Sequence, residues 1–133
     1  MKFQQKDFDE KLKGEIKKNE VALKDHIEEL LSQNKSVFAK KNLELDADFE
    51  KVGDDPFAPG YKSSISVGVA EENGELIDLH IIKIWECERT LLGMPIIKQI
   101  PGSKVVGELL DESLEEIKEE LREYIEEILV GTN

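Results

Sequence analysis

Residues 62 to 87 read KSSISVGVAEENGELIDLHIIKIWEC, and the way this stretch pairs with itself decides the fold. Apolar residues alternate with small or polar ones on both sides of Glu72, Asn73 and Gly74: Ile65, Val67 and Val69 before them, Ile77, Leu79 and Ile81 after them. Period-two alternation around a glycine-containing turn marks a β-hairpin. A two-residue Asn-Gly turn would set Val69 opposite Asp78 and Val67 opposite His80, mixing polar and apolar side chains on one face. With Glu72 and Asn73 in a type I turn and Gly74 in the left-handed bulge position, Val69 faces Ile77, Val67 faces Leu79 and Ile65 faces Ile81. The sequence therefore predicts the three-residue turn. Its other face then carries Ser64, Ser66, Gly68, Asp78 and His80, followed by Ile82 and Ile84, and Trp85 continues the odd, core-facing register.

Upstream of the hairpin, Asn42 to Glu50 alternates strictly, with Leu43, Leu45, Ala47 and Phe49 on one side and Glu44, Asp46, Asp48 and Glu50 on the other. This predicts a strand with a wholly acidic outer face. Gly53 to Tyr61, with Pro56 and Pro59, reads as a loop. Further upstream, Phe8, Leu12, Ile16, Leu23, Ile27, Leu30 and Leu31 recur at helical spacing and predict an amphipathic helix over residues 7–31, with a skipped turn near Asn19 and Glu20. Downstream, Ile96 to Ile100 predicts a strand, Lys104 to Val106 a brief pairing, and Pro101 and Gly102 a turn between them. The last helix opens with the capping-box pair Ser113 and Glu116, carries the stripe Leu114, Ile117, Leu121, Tyr124, Ile125 and Ile128, and has Gly131 as its stop. The expected architecture is one α+β domain over residues 1–133. It has a long N-terminal amphipathic helix, about four mostly antiparallel strands including the 62–87 hairpin, and an acidic C-terminal amphipathic helix.

The length of 133 residues suits one core. No apolar run approaches the roughly 20 residues of a membrane span, and Met1 to Glu10 lacks the apolar centre of a signal peptide. With a single cysteine, Cys87, the chain cannot hold an internal disulfide framework. A cytoplasmic protein is the expectation from these features.

Charge is unevenly distributed. The net charge is −12, and residues 108–133 carry 10 acids against 2 bases, whereas residues 1–41 carry 8 acids against 10 lysines. On the terminal helix, four pairs of glutamates stand four residues apart: 115 with 119, 116 with 120, 119 with 123, and 123 with 127. Each exposed pair of this kind destabilises a helix by a few tenths of a kcal/mol, and Glu126 and Glu127 crowd the negative end of the helix dipole. Helix stability does not explain such a run, which leaves a solvated face or a docking surface for a basic partner. Glu116, Glu120, Glu123 and Glu127, with Glu44, Asp46 and Asp48, are the candidate partner-binding residues, and Trp85, Tyr61 and Phe57 the candidate anchors.

Other constellations are weaker. Ser66, Asp78 and His80 share a face in the predicted register, but a serine on a flat strand has no turn to present its hydroxyl and no oxyanion hole. His80 and Cys87 differ by an odd number on one strand, so they point to opposite faces and assemble no zinc site. Glu44, Asp46, Asp48 and Glu50 are spaced too widely for one cation and lack the calcium-loop pattern. Gly102, Ser103 and Lys104 lack the spaced glycine of a phosphate loop. The lysines of the first helix are interleaved with acids and lack an aromatic platform for nucleic acid.

No cofactor, metal, membrane or direct nucleic-acid contact is predicted. The expected function is that of a non-enzymatic acidic protein that engages and neutralises a basic protein, as toxin-immunity proteins and nuclease inhibitors do. A second reading is a structural or adaptor subunit that forms a homo-oligomer through sheet edges and the Ile82 and Ile84 face. A third is a small hydrolase using Ser66 and His80.

Overall fold

The computed structural model describes residues 1–131. The elements in chain order are β1 (Lys2–Gln4), a 3-10 turn (Gln5–Asp7), α1 (Glu10–Ala39), β2 (Leu43–Val52), β3 (Lys62–Glu71), β4 (Leu76–Leu91), β5 (Met94–Ile96), β6 (Lys104–Leu109) and α2 (Leu114–Gly131). The fold is α+β, as predicted, with six strands where about four were expected. They form one sheet in the order β1-β6-β4-β3-β2, and β5 pairs on β4. The pairings of β1 with β6, β4 with β5 and β4 with β6 are antiparallel.

The chain divides into two compact units. Met1–Val21, Phe49–Ser64 and Ile82–Asp111 make one, while Ala22–Asp48, Ile65–Ile81 and the chain from Glu112 make the other.

The first unit is built around Trp85. Its indole is fully buried, donates from Nε1 to the Pro56 carbonyl at 2.6 Å, and sits among Phe3, Phe8 and Phe57. Gly107 on β6 lies under the ring, where a Cβ would come within 2.1 Å of indole carbon Cη2. Only glycine fits this approach. Cys87, two residues further along β4, is also buried, and burial pushes its thiol up to about 11, with Asp55 and Glu88 adding to the shift. Leu12 and Ile16 supply the helical side of this core.

α1 begins at Asp9, whose Oδ1 accepts from the Leu12 amide at 2.8 Å as an N-cap. It runs unbroken past the predicted end at Leu31 to Ala39, and Phe38 on its last turn is fully buried. The skipped turn is not a break. Glu20 occupies the gap in the apolar stripe, is 5% exposed, and accepts a 2.5 Å hydrogen bond from the Tyr61 hydroxyl.

In the second unit, Leu23, Ile27 and Leu30 of α1, Leu45 of β2, Ile65, Val67 and Val69 of β3, and Ile117, Leu121 and Ile125 of α2 form the core. β2 alternates as predicted, with Leu45 buried and Glu44, Asp46 and Asp48 exposed.

The hairpin turn also forms as predicted. The Gly74 amide donates to the Glu71 carbonyl and the Glu71 amide to the Glu75 carbonyl, each at 2.8 Å, and Gly74 has φ 89°. The faces of the second strand do not follow from it. Ile77, Leu79 and Ile81 are 46%, 47% and 61% exposed, whereas Ile82 and Ile84 are buried. A Cβ on Gly68 would meet Leu79 Cδ1 at 3.2 Å and Leu76 Cδ1 at 3.8 Å, so both leucines lie on the Gly68 side of the sheet. β4 thus takes up one residue more than β3 between Leu76 and Leu79. That single residue turns over the side chains from Leu79 to Ile84. Farther on, Ile84 and Trp85 are consecutive and both fully buried, which breaks the alternation a second time.

Two smaller features differ from the sequence reading, which assigned no element to residues 1–6. The start of the chain forms β1, with Phe3 opposite Gly107. The strand predicted at 96–100 is instead Met94–Ile96, in a tight hairpin on β4 through Leu92 (φ 52°) and Gly93 (φ 80°), and Ile97 is 100% exposed.

Candidate functional site

α2 is the more acidic of the two candidate elements, and its carboxylates divide by what they touch. Ser113 and Glu116 form the reciprocal capping box: the Glu116 amide donates to Ser113 Oγ at 3.1 Å and the Ser113 amide to Glu116 Oε1 at 3.2 Å. Glu116 is therefore engaged in starting the helix. Glu120 is not on the outer face. It turns toward β4, half-buried, and its Oε2 lies 2.9 Å from His80 Nε2. The His80 ring stacks on Tyr124 with centroids 4.9 Å apart, and burial together with the nearby Asp78 carboxylate pushes the Tyr124 phenol far up from its ordinary value. Burial, and then Glu120, raise Glu112 as well.

Ion pairs at spacings of three and four compensate part of this charge. Lys118 reaches Glu115 at 3.8 Å, and Arg122 bridges Glu119 and Glu126, donating to the latter at 2.7 Å. Arg122 lowers the Glu119 carboxyl from its ordinary value. What remains is Glu123 and Glu127, exposed and without an ion-pair partner among the described residues.

The second element lies on the other face of the sheet. Glu44, Asp46 and Asp48 of β2 project outward beside Ser66, Gly68 and Ala70 of β3, and Leu76 and Leu79 of β4 close the far side, so that the three strands line one shallow trough. None of the three acids has an ion-pair partner among the described residues. The small side chains of β3 make the floor, and the exposed aliphatic row of β4 makes a wall. The acidic wall was legible in the alternation of β2. The apolar wall was not, because the hairpin pattern put Ile77, Leu79 and Ile81 in the core.

The remaining candidates separate. Ser66 faces the trough, whereas His80 faces α2, so no nucleophile and base come together. Trp85 and Tyr61 are core residues, and Phe57 is stacked on Phe8 at 4.6 Å, so none of the three is a free anchor. Ile82 and Ile84, assigned to an assembly face, are buried. Among the described residues, no group of three or more His, Cys, Asp or Glu is placed to hold a metal ion. Among the described residues, no helix is long and apolar enough to cross a membrane. The chain matches no known protein family, no curated protein and no solved structure.

Proposed function

We propose that this protein is a non-enzymatic binding protein whose outward carboxylates engage a basic protein, the role that toxin-immunity proteins and nuclease inhibitors fill. The observation that carries the reading is that Glu44, Asp46 and Asp48 on β2, and Glu123 and Glu127 on α2, are exposed and have no ion-pair partner among the described residues, although lysines are plentiful elsewhere in the chain. Like charges in a row make the local potential more negative and steer a cationic partner by long-range attraction. Capture from native lysate on the immobilised protein tests this. A basic protein retained at low salt, released as salt rises, and bound more slowly by a variant with these five acids neutralised is the expected result. A retained partner indifferent to both changes contradicts it.

A second reading, assembly as a homo-oligomer, is favoured by one observation. Leu76, Leu79 and Ile81 are all exposed on one strand, so their apolar side chains are grouped rather than scattered singly. Sedimentation at high concentration distinguishes the two, since a monomer excludes the oligomer.

A further inference from the structure

The outer face of β2, β3 and β4 is asymmetric across its width, and that asymmetry specifies what fits there. Strands in a sheet are spaced about 4.8 Å apart, so the carboxylate row of β2 and the aliphatic row of β4 stand about 10 Å apart with β3 between them. The β3 floor consists of Ser66, Gly68 and Ala70, none with a side chain large enough to fill that gap. An α-helix with its side chains is about 10–12 Å across, so one helix can lie along the trough and touch both walls.

The walls demand different chemistry of its two flanks. Leu76, Leu79 and Ile81 offer apolar contact, while Glu44, Asp46 and Asp48 require cations. An extended strand meets both walls only when it stands edge-on, which presses one row of its backbone N–H and C=O groups onto the β3 side chains without partners. A helix with apolar residues at positions i, i+3, i+4 and i+7 and Lys or Arg along one edge meets both together. We infer that the outer sheet face docks a basic amphipathic helix of the partner, with its aliphatic stripe on Leu76, Leu79 and Ile81 and its basic edge on Glu44, Asp46 and Asp48. This rests on the proposed engagement of a basic protein and assigns that engagement to one face, leaving α2 outside the contact.

The probe is a synthetic leucine–lysine peptide of about 18 residues patterned at helical spacing, long enough to form a helix on binding. A peptide of the same composition in alternating order is the control. Binding is read by fluorescence anisotropy to the intact chain, with circular dichroism confirming the fold of each variant. Leu79→Thr with Ile81→Thr keeps strand propensity on exposed positions and is expected to weaken the patterned peptide at least 10-fold. Glu44→Gln, Asp46→Asn and Asp48→Asn together are expected to weaken it about 10-fold and to flatten its salt dependence. Glu15→Gln, Asp25→Asn and Glu28→Gln, which remove the same charge from α1, are expected to change it less than twofold.

Equal binding of both peptides, or binding indifferent to the Leu79 and Ile81 changes, overturns the helix-docking inference. If Glu123→Gln and Glu127→Gln then carry the loss, the broader reading of a basic partner stands while the assignment to the sheet face fails. Absence of salt-dependent binding to either peptide counts against both. A chain that self-associates and becomes monomeric on Leu79→Thr with Ile81→Thr also overturns the inference, because the face then belongs to a second copy.

Discussion

Glu20 stands where the spacing of α1 asks for an apolar side chain, and the hydrogen bond from Tyr61 is what makes a carboxylate tolerable there. Tyr61→Phe removes the donor and leaves Glu20 buried with that lone pair unmet, so it is expected to destabilise the protein by about 1–3 kcal/mol in urea unfolding. The same contact sets a pH dependence. Burial, and then Glu20, raise the Tyr61 phenol far above 10.0, and Tyr124 is raised from the same starting value by burial and Asp78. Above that pH the unfolded chain has released protons that the folded chain still holds, so stability falls as pH rises through the alkaline range and is unaffected by these groups below it. Melting temperatures across the range from about pH 9 to 11 should drop in the native chain and drop less in Tyr124→Phe; parallel curves contradict this. Gly107 makes a steric prediction. Gly107→Ala places a methyl group inside the Trp85 ring and should cost about 3 kcal/mol or more, seen as a lower denaturant midpoint at unchanged slope.

Periodicity and caps made the elements legible, and the places where reading failed have local causes. α1 could be read as broken because Asn19 and Glu20 interrupt the stripe, and only the distant Tyr61 explains the interruption. The turn at Glu71–Gly74 was legible because a left-handed glycine after two type I residues has few alternatives. The faces of β4 were not. One extra residue between Leu76 and Leu79 leaves no mark in composition, and apolar residues occupy both parities of Ile77 to Ile84, so the pattern suits either side. On α2 the capping box was legible and forms as read. Ser113→Ala removes the side-chain acceptor for the Glu116 amide and should cost about 1 kcal/mol, with fraying of the first turn visible as faster amide exchange from Leu114 to Ile117. An unchanged midpoint would mean that the tertiary contacts of Ile117 and Leu121 hold the helix start without the cap.

For the molecule as a whole, uneven charge was the strongest signal, and the structure redistributes its meaning. Residues 108–133 hold most of the excess, yet the carboxylates of α2 are largely occupied by the cap, His80, Lys118 and Arg122. The smaller row on β2 has no ion-pair partner among the described residues and borders an apolar wall, a combination that charge counting alone does not find. Half of the candidate surface was thus visible as acidic alternation. The other half depended on which face of β4 turns outward. An amide chemical-shift titration of the labelled chain with the patterned leucine–lysine peptide at low salt tests that combination most directly. Perturbations concentrated at Asp46, Ser66, Gly68, Ala70, Leu76 and Leu79 are predicted. Perturbations confined to α2, or spread evenly over every exposed acid, would contradict a docking face on the sheet.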